Sequence, residues 1–181
     1  KYNNVFLNNY AIGAHNKEKK IFYRHSHSKL NSLKKINING QVITEFLNKQ
    51  KNISTKNYNN QIYVKLKKLD TYCKNHKIKN IDILKIDVQS GEREVLIGSK
   101  NILNKTSIIF TEINFFDMYE TRYNFLDLES FLIPKGFNLF CLVRVNNNKN
   151  SGEITFVEAI YVKDNVSQLM KKNKGNYNRK N

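Results

Sequence analysis

The sequence predicts an α/β fold in which strands and helices alternate and the chain closes on an antiparallel pair of strands. Three stretches carry this expectation. Residues 81–103 read as strand, carboxylate, tight turn and helix; residues 107–113 form a second apolar strand that also ends in a carboxylate; residues 137–162 read as two strands joined by a short polar turn.

The first stretch opens on a nearly continuous apolar run, Ile81, Ile83, Leu84, Ile86 and Val88, the pattern of a parallel strand buried on both faces. Asp87 closes the run. Ser90 and Gly91 turn the chain, and Val95, Leu96, Ser99, Ile102 and Leu103 then recur at helical spacing. Ser90 is the expected helix N-cap, and Glu92 and Glu94 place negative charge at the positive end of the helix dipole. Ligands in open α/β sheets collect beyond the carboxyl ends of strands, where Asp87 stands.

The remaining elements follow in order. Residues 5–12 read as a strand ending near Gly13, residues 15–20 as a polar turn and residues 21–23 as a short strand. Residues 24–35 read as a polar loop carrying His25, His27, Ser28 and Ser32. Alternation puts the two imidazoles on one face, but zinc takes three or four ligands and no third is nearby, so no metal is expected. Residues 42–47 read as a short helix or strand, and 48–60 as an exposed loop. Ile62, Val64 and Leu66 alternate with polar neighbours as a strand with one wet face. Residues 69–76 read as a short helix and 115–123 as an aromatic connection. Phe125, Leu128, Phe131 and Leu132 mark a helix that Pro134 and Gly136 end. Residues 1–164 are expected to form one domain, and 165–181 a polar, basic, disordered tail.

Bulk properties narrow the classes. With 181 residues, 40% hydrophobic and 25% charged, the chain is long enough for one domain with a real core. No apolar run approaches the roughly 20 residues of a membrane span. Cys73 and Cys141 are far apart and form no metal-ligand spacing, which points to reduced thiols in the cytoplasm. The net charge of +16 admits a polyanion partner such as nucleic acid. Lysine and asparagine are nevertheless spread throughout, with no dense basic block, and biased composition is the preferred explanation. The chain begins with Lys1 rather than Met and reaches a strand almost at once, as a piece of a longer protein would. Phosphate-binding, nucleophile-elbow and dinucleotide-binding glycine motifs are absent from the sequence.

Asp87 and Glu112 are the main candidates for chemistry. A right-handed crossover would make their strands parallel in one sheet, about 4.8 Å apart if adjacent. Both carboxylates would then face one crevice and could take a proton from a hydroxyl, hold a cation or orient a polar substrate. Position alone serves equally for capping a helix or pairing with a lysine. In the turn of Gln89, Ser90 and Gly91, Gly91 permits either close approach of a ligand or simply a tight turn. Phe115, Phe116, Tyr119 and Tyr123 could line a cleft, though core packing is the commoner use of such residues.

The string LKIDVQSGEREVLIGSKNIL resembles the signature of FkbM-type S-adenosylmethionine-dependent methyltransferases, which runs Lys-Ile-Asp, Val-Glu-Gly, a small residue, Glu and Val-Leu-x-Gly. The likeness extends to Lys68-Leu69-Asp70, IIFTEINF, Gly136-Phe137, EAIYVK and FLNNYAIG, and so covers most of the chain. It implies a Rossmann-like class I methyltransferase sheet with an antiparallel carboxyl-terminal hairpin. It further implies an O-methyltransferase acting on a hydroxyl of a sugar or other small molecule. Asp87 and Glu112 would be catalytic. Ala11, Ile12, Asp87 and Val88 would hold S-adenosylmethionine, and Gln89, Glu92 and Asn114 would meet the acceptor. Gln89 stands where the family usually has Glu, and Ser90 where it has Gly; an amide is no base at neutral pH. The family's first strands and Gly-rich cofactor turn would lie before Lys1. The resemblance therefore implies an N-terminally incomplete sheet that alone binds cofactor weakly and is inactive. The rival readings are a basic nucleic-acid-binding module and a decayed methyltransferase kept as a scaffold.

Overall fold

The computed structural model describes residues 4–40, 43–44, 59–121 and 123–177. Two sheets are formed. Strands β1 (Ala11–Ile12), β2 (Lys17–Arg24) and β3 (Asn60–Lys67) lie in the order β1-β3-β2. Strands β4 (Ile81–Ile86), β5 (Thr106–Asn114), β6 (Phe137–Asn147) and β7 (Ile154–Lys163) lie in the order β4-β5-β7-β6. The helices are α1 (Leu69–Asn75), α2 (Glu92–Ile97), α3 (Phe125–Leu132) and α4 (Asp164–Tyr177).

In the four-stranded sheet, β4 and β5 are parallel, in register from Ile81 opposite Thr106 to Ile86 opposite Thr111. Strand β7 is antiparallel to both β5 and β6, so it alone runs against the other three. Alternation along these strands separates two faces. Ile86, Ile109, Ile113, Val157, Ala159 and Tyr161 fill one face and pack with Val95 and Leu96 of α2 and Leu128 and Leu132 of α3. Lys85, Phe110, Glu112 and Glu158 occupy the other. Leu30, Ile36, Ile43 and Tyr119 form a smaller second core.

Two glycines fix the joint between the sheets. A Cβ at Gly98, just after α2, would lie 2.1 Å from the Gly13 carbonyl oxygen just after β1. Only hydrogen fits there. Asp70 of α1 ties the same region down: its backbone N–H donates to Gly98 O at 3.0 Å, and its carboxylate accepts from the backbone N–H groups of Asn101 and Ile102. The α3 start is closed by a reciprocal capping box between Asn124 and Asp127.

The structure departs from several expectations. β4 is not buried on both faces: among the described residues only β5 pairs with it, and Ile83 is 64% exposed. Of residues 5–12 only Ala11–Ile12 is strand, because β3 offers β1 two register partners, while Val5, Phe6 and Leu7 lie exposed ahead of it. The expected polar turn at 15–20 gives way to β2 from Lys17 onward. Pairing with β3 and the Glu18–Lys65 ion pair at 2.9 Å hold that wet strand in place. Ile62 of β3 is exposed, whereas Val64, between exposed neighbours, is half-buried and Leu66 is buried, so the drier face begins only at Val64. The segment read as a tail carries α4 over Asp164–Tyr177. The loop expected at 48–60 falls largely outside the described residues, as does most of 42–47.

Candidate functional site

The turn after β4 organises the site. Asp87 directly follows the strand, and its side chain is 43% exposed. The β4–β5 register carries it alongside Glu112. Lys85 Nζ lies 3.6 Å from Asp87 Oδ2 and 4.0 Å from Glu158 Oε1, and it sits 4.1 Å from the centre of the Phe110 ring. Glu112 is directly opposite Glu158 in the β5–β7 ladder and accepts a 3.2 Å hydrogen bond from Asn114 Nδ2. Burial, foremost, raises the Glu112 pKa, and the negative charges of Asp87 and Glu158 add to this.

Two expectations about the turn are corrected here. Ser90 does not cap α2. Gly91 occupies the N-cap with no side-chain cap, while Gln89 and Ser90 both adopt the left-handed region at φ +53° and +66°. Glu92 is not an exposed dipole charge but a 4% exposed carboxyl whose Oε1 accepts from the Val88 backbone N–H at 3.2 Å. Burial pushes its pKa up to about 7, helped by the charges of Glu112 and Asp87.

A loop distant in sequence clamps this turn. Ser32 Oγ donates to Gln89 O at 2.6 Å. The Tyr119 hydroxyl lies 3.1 Å from Leu30 O and 3.2 Å from Gln89 Oε1. Gln89 Nε2 in turn donates to Asp87 Oδ1 at 3.0 Å. Tyr119 is fully buried, and burial together with Glu112, Glu92 and Asp87 raises its pKa.

Asp87, Gln89, Glu92, Glu112 and Asn114 are thus brought together, with Tyr119, Ser32, Lys85 and Glu158 added by the structure. No sequence signal marked Ser32 as a neighbour of Asp87, whereas Lys85, two residues earlier in β4, is the lysine that pairs with it. Tyr119 belonged to an aromatic run read as packing, and it does pack, but its hydroxyl also serves the turn.

Ala11 and Ile12 lie outside this cluster. Ile12 packs on the main core, and the loop that follows lines a cavity of about 120 Å³ with Gly91, Glu94 and Lys34. Glu94 there pairs with Lys34 and accepts from the Tyr123 hydroxyl at 2.7 Å, while its buried Oε2 has no hydrogen-bond partner among the described residues. His25 Nδ1 accepts from the Asn59 backbone N–H. No group of three or more potential metal ligands occurs among the described residues.

The family model for the methyltransferase FkbM domain matches residues 1–139. The chain belongs to this family. This FkbM-domain chain is also 35% identical over 63 residues to the 2-O-methyltransferase NoeI of Sinorhizobium fredii (strain NBRC 101917 / NGR234). That alignment covers 35% of the chain and 26% of the relative, so the chain spans about a quarter of the length of the curated protein it matches. No solved structure gives a significant match.

Proposed function

We propose that this chain is part of an S-adenosylmethionine-dependent O-methyltransferase acting on a hydroxyl of a sugar or other small molecule. The observation that carries the proposal is Asp87, directly after β4 and open to solvent, next to Glu112 of the neighbouring parallel strand β5. The order β4-β5-β7-β6, with β7 alone reversed, supports a Rossmann-like sheet. The name of NoeI supports transfer to oxygen. Free Cys73 and Cys141 support a cytoplasmic setting, and no described helix is long and apolar enough to cross a membrane.

The residues present offer part of a cofactor site. The turn bearing Asp87 carries carboxylates, which favour a sulfonium cation, and the cavity between the loop after β1 and Gly91 is walled by His15, Lys17, Lys20, Lys34 and Glu94, whose buried Oε2 has no donor among the described residues. Adenosyl amino and hydroxyl groups are donors. Ala11, Ile12, Asp87 and Val88 would hold the group. When bound, S-adenosylmethionine supplies an electrophilic methyl group. The chain's own residues then manage the acceptor hydroxyl. Asp87 orients the acceptor oxygen and takes the proton released, and Glu112, whose proton affinity burial increases, stands beside it. Gln89, Glu92 and Asn114 fix these two carboxylates and frame the acceptor.

The test is methyl transfer from labelled S-adenosylmethionine to a panel of sugar and polyketide-type alcohols. Replacing Asp87 with Asn is expected to lower kcat about 10²- to 10⁴-fold, the usual worth of a general base. Unchanged transfer by that variant overturns the assignment. The nucleic-acid reading predicts instead binding that weakens steeply with salt and does not depend on Asp87.

A further inference from the structure

We propose that Gln89 is a positioning residue that passes the hydrogen bond of Tyr119 on to Asp87 and so presents Asp87 as an anion in one fixed orientation. The inference deepens the methyltransferase reading and rests on it for its catalytic arm. Its structural arm stands alone.

The chemistry of the three groups dictates the direction of the relay. An ionised Asp87 only accepts, so the Gln89 nitrogen must face it, as the 3.0 Å contact from Nε2 to Oδ1 shows. Gln89 Oε1 is then turned toward Tyr119, whose hydroxyl proton is shared between that oxygen and Leu30 O. The backbone of Gln89 is held as well, by Ser32 Oγ on its carbonyl and by the left-handed φ of +53°. A glutamate of the same shape would suit Tyr119 but place a second acceptor against Asp87 Oδ1. The contact would survive only with a proton trapped between the two carboxyls. The amide therefore does what a carboxylate cannot.

The other charged groups around Asp87 are Lys85 from its own strand, Glu112 from β5, Glu158 from β7 through Lys85, and Glu92 from α2. Lys85 is the only cation of this set, and at 3.6 Å it balances Oδ2 while Gln89 balances Oδ1.

The experiment follows the Asp87 side-chain carboxyl carbon by NMR across pH in the full chain, for the parent, Gln89→Glu and Tyr119→Phe. In Gln89→Glu the Asp87 titration is expected to move to higher pH by about one pH unit or more. In Tyr119→Phe, which keeps the ring and its packing, it moves the same way by less. Where methyl transfer is measured, the acid limb of the Gln89→Glu pH profile follows the NMR shift. Tyr119→Phe lowers kcat about 3- to 10-fold at unchanged KM, the range of one neutral hydrogen bond. An Asp87 curve that superimposes on the parent in Gln89→Glu overturns the proposal. A shift there without one in Tyr119→Phe overturns the relay. Should Gln89→Glu not fold, Gln89→Ala removes the donor without adding charge and is read by the same criterion. Absence of methyl transfer in the parent counts against the proposed function alone, because the carboxyl titration needs no substrate.

Discussion

Glu92 shows how one rotamer changes what a residue does. Its sequence position, first in α2, suggests a solvated charge on the helix dipole, yet its carboxyl is buried and reaches back to the Val88 N–H. With the pKa raised from its ordinary 4.5 to about 7, the folded chain holds a proton there that the unfolded chain has lost. The contribution of Glu92 to stability is therefore fullest below pH 4.5, falls as pH rises toward 7, and levels off above. The span of that fall is roughly 3 kcal/mol. Glu92→Gln keeps an acceptor for Val88 and is expected to flatten it, as urea titrations between pH 4 and 8 would show. A Glu92→Gln chain with the parent's pH slope would assign the fall elsewhere. Ser90 offers a second test at this scale. A side chain at φ +66° carries a left-handed penalty of about 1–2 kcal/mol. Ser90→Gly is expected to stabilise the chain by about 1 kcal/mol in the same titrations, and a loss of stability would show that burial of the serine outweighs its backbone cost.

Among the elements, the joint between sheets is the most exacting. Gly98→Ala drives a methyl group into the Gly13 carbonyl, a collision with backbone that no rotamer relieves. The expected cost is about 3 kcal/mol, the upper end for overpacking, visible as a lowered thermal midpoint. At Gly91 the nearest atom is 3.3 Å away on the Val88 side chain, and Gly91→Ala is expected to cost distinctly less. The sequence made much of this level legible. Its apolar runs located β4 and β5 and the crossover made them parallel, but Glu112 lies within β5, which runs on to Asn114, rather than closing it. The short turn made β6 and β7 antiparallel. What it hid are properties that depend on partners. Nothing in KEKK announces β2, because that strand is held by β3 rather than by its own apolar content. Nothing in Ile83 reveals that one side of β4 lies without a neighbouring strand among the described residues, since burial belongs to the sheet and not to the residue. The hydroxyls of Ser32 and Tyr119 carry no pattern that links them to Gln89.

At the scale of the whole molecule, charge and sheet order act together. The +16 net charge keeps copies apart, while β4, with Ile83 exposed, offers an unpaired edge among the described residues. Salt weakens the repulsion, shortening its reach from about 8 Å at physiological strength to about 3 Å at 1 M. Light scattering is expected to show self-association on raising salt toward 1 M, and Ile83→Lys to suppress it. A molecular mass independent of salt in the parent would rule this out. The clamp of Ser32 on Gln89 has a different reach. It spans 57 positions of chain, so the bend that aims Asp87 cannot exist until two remote segments have met. A synthetic peptide of residues 81–103 would keep its letters and lose its aim.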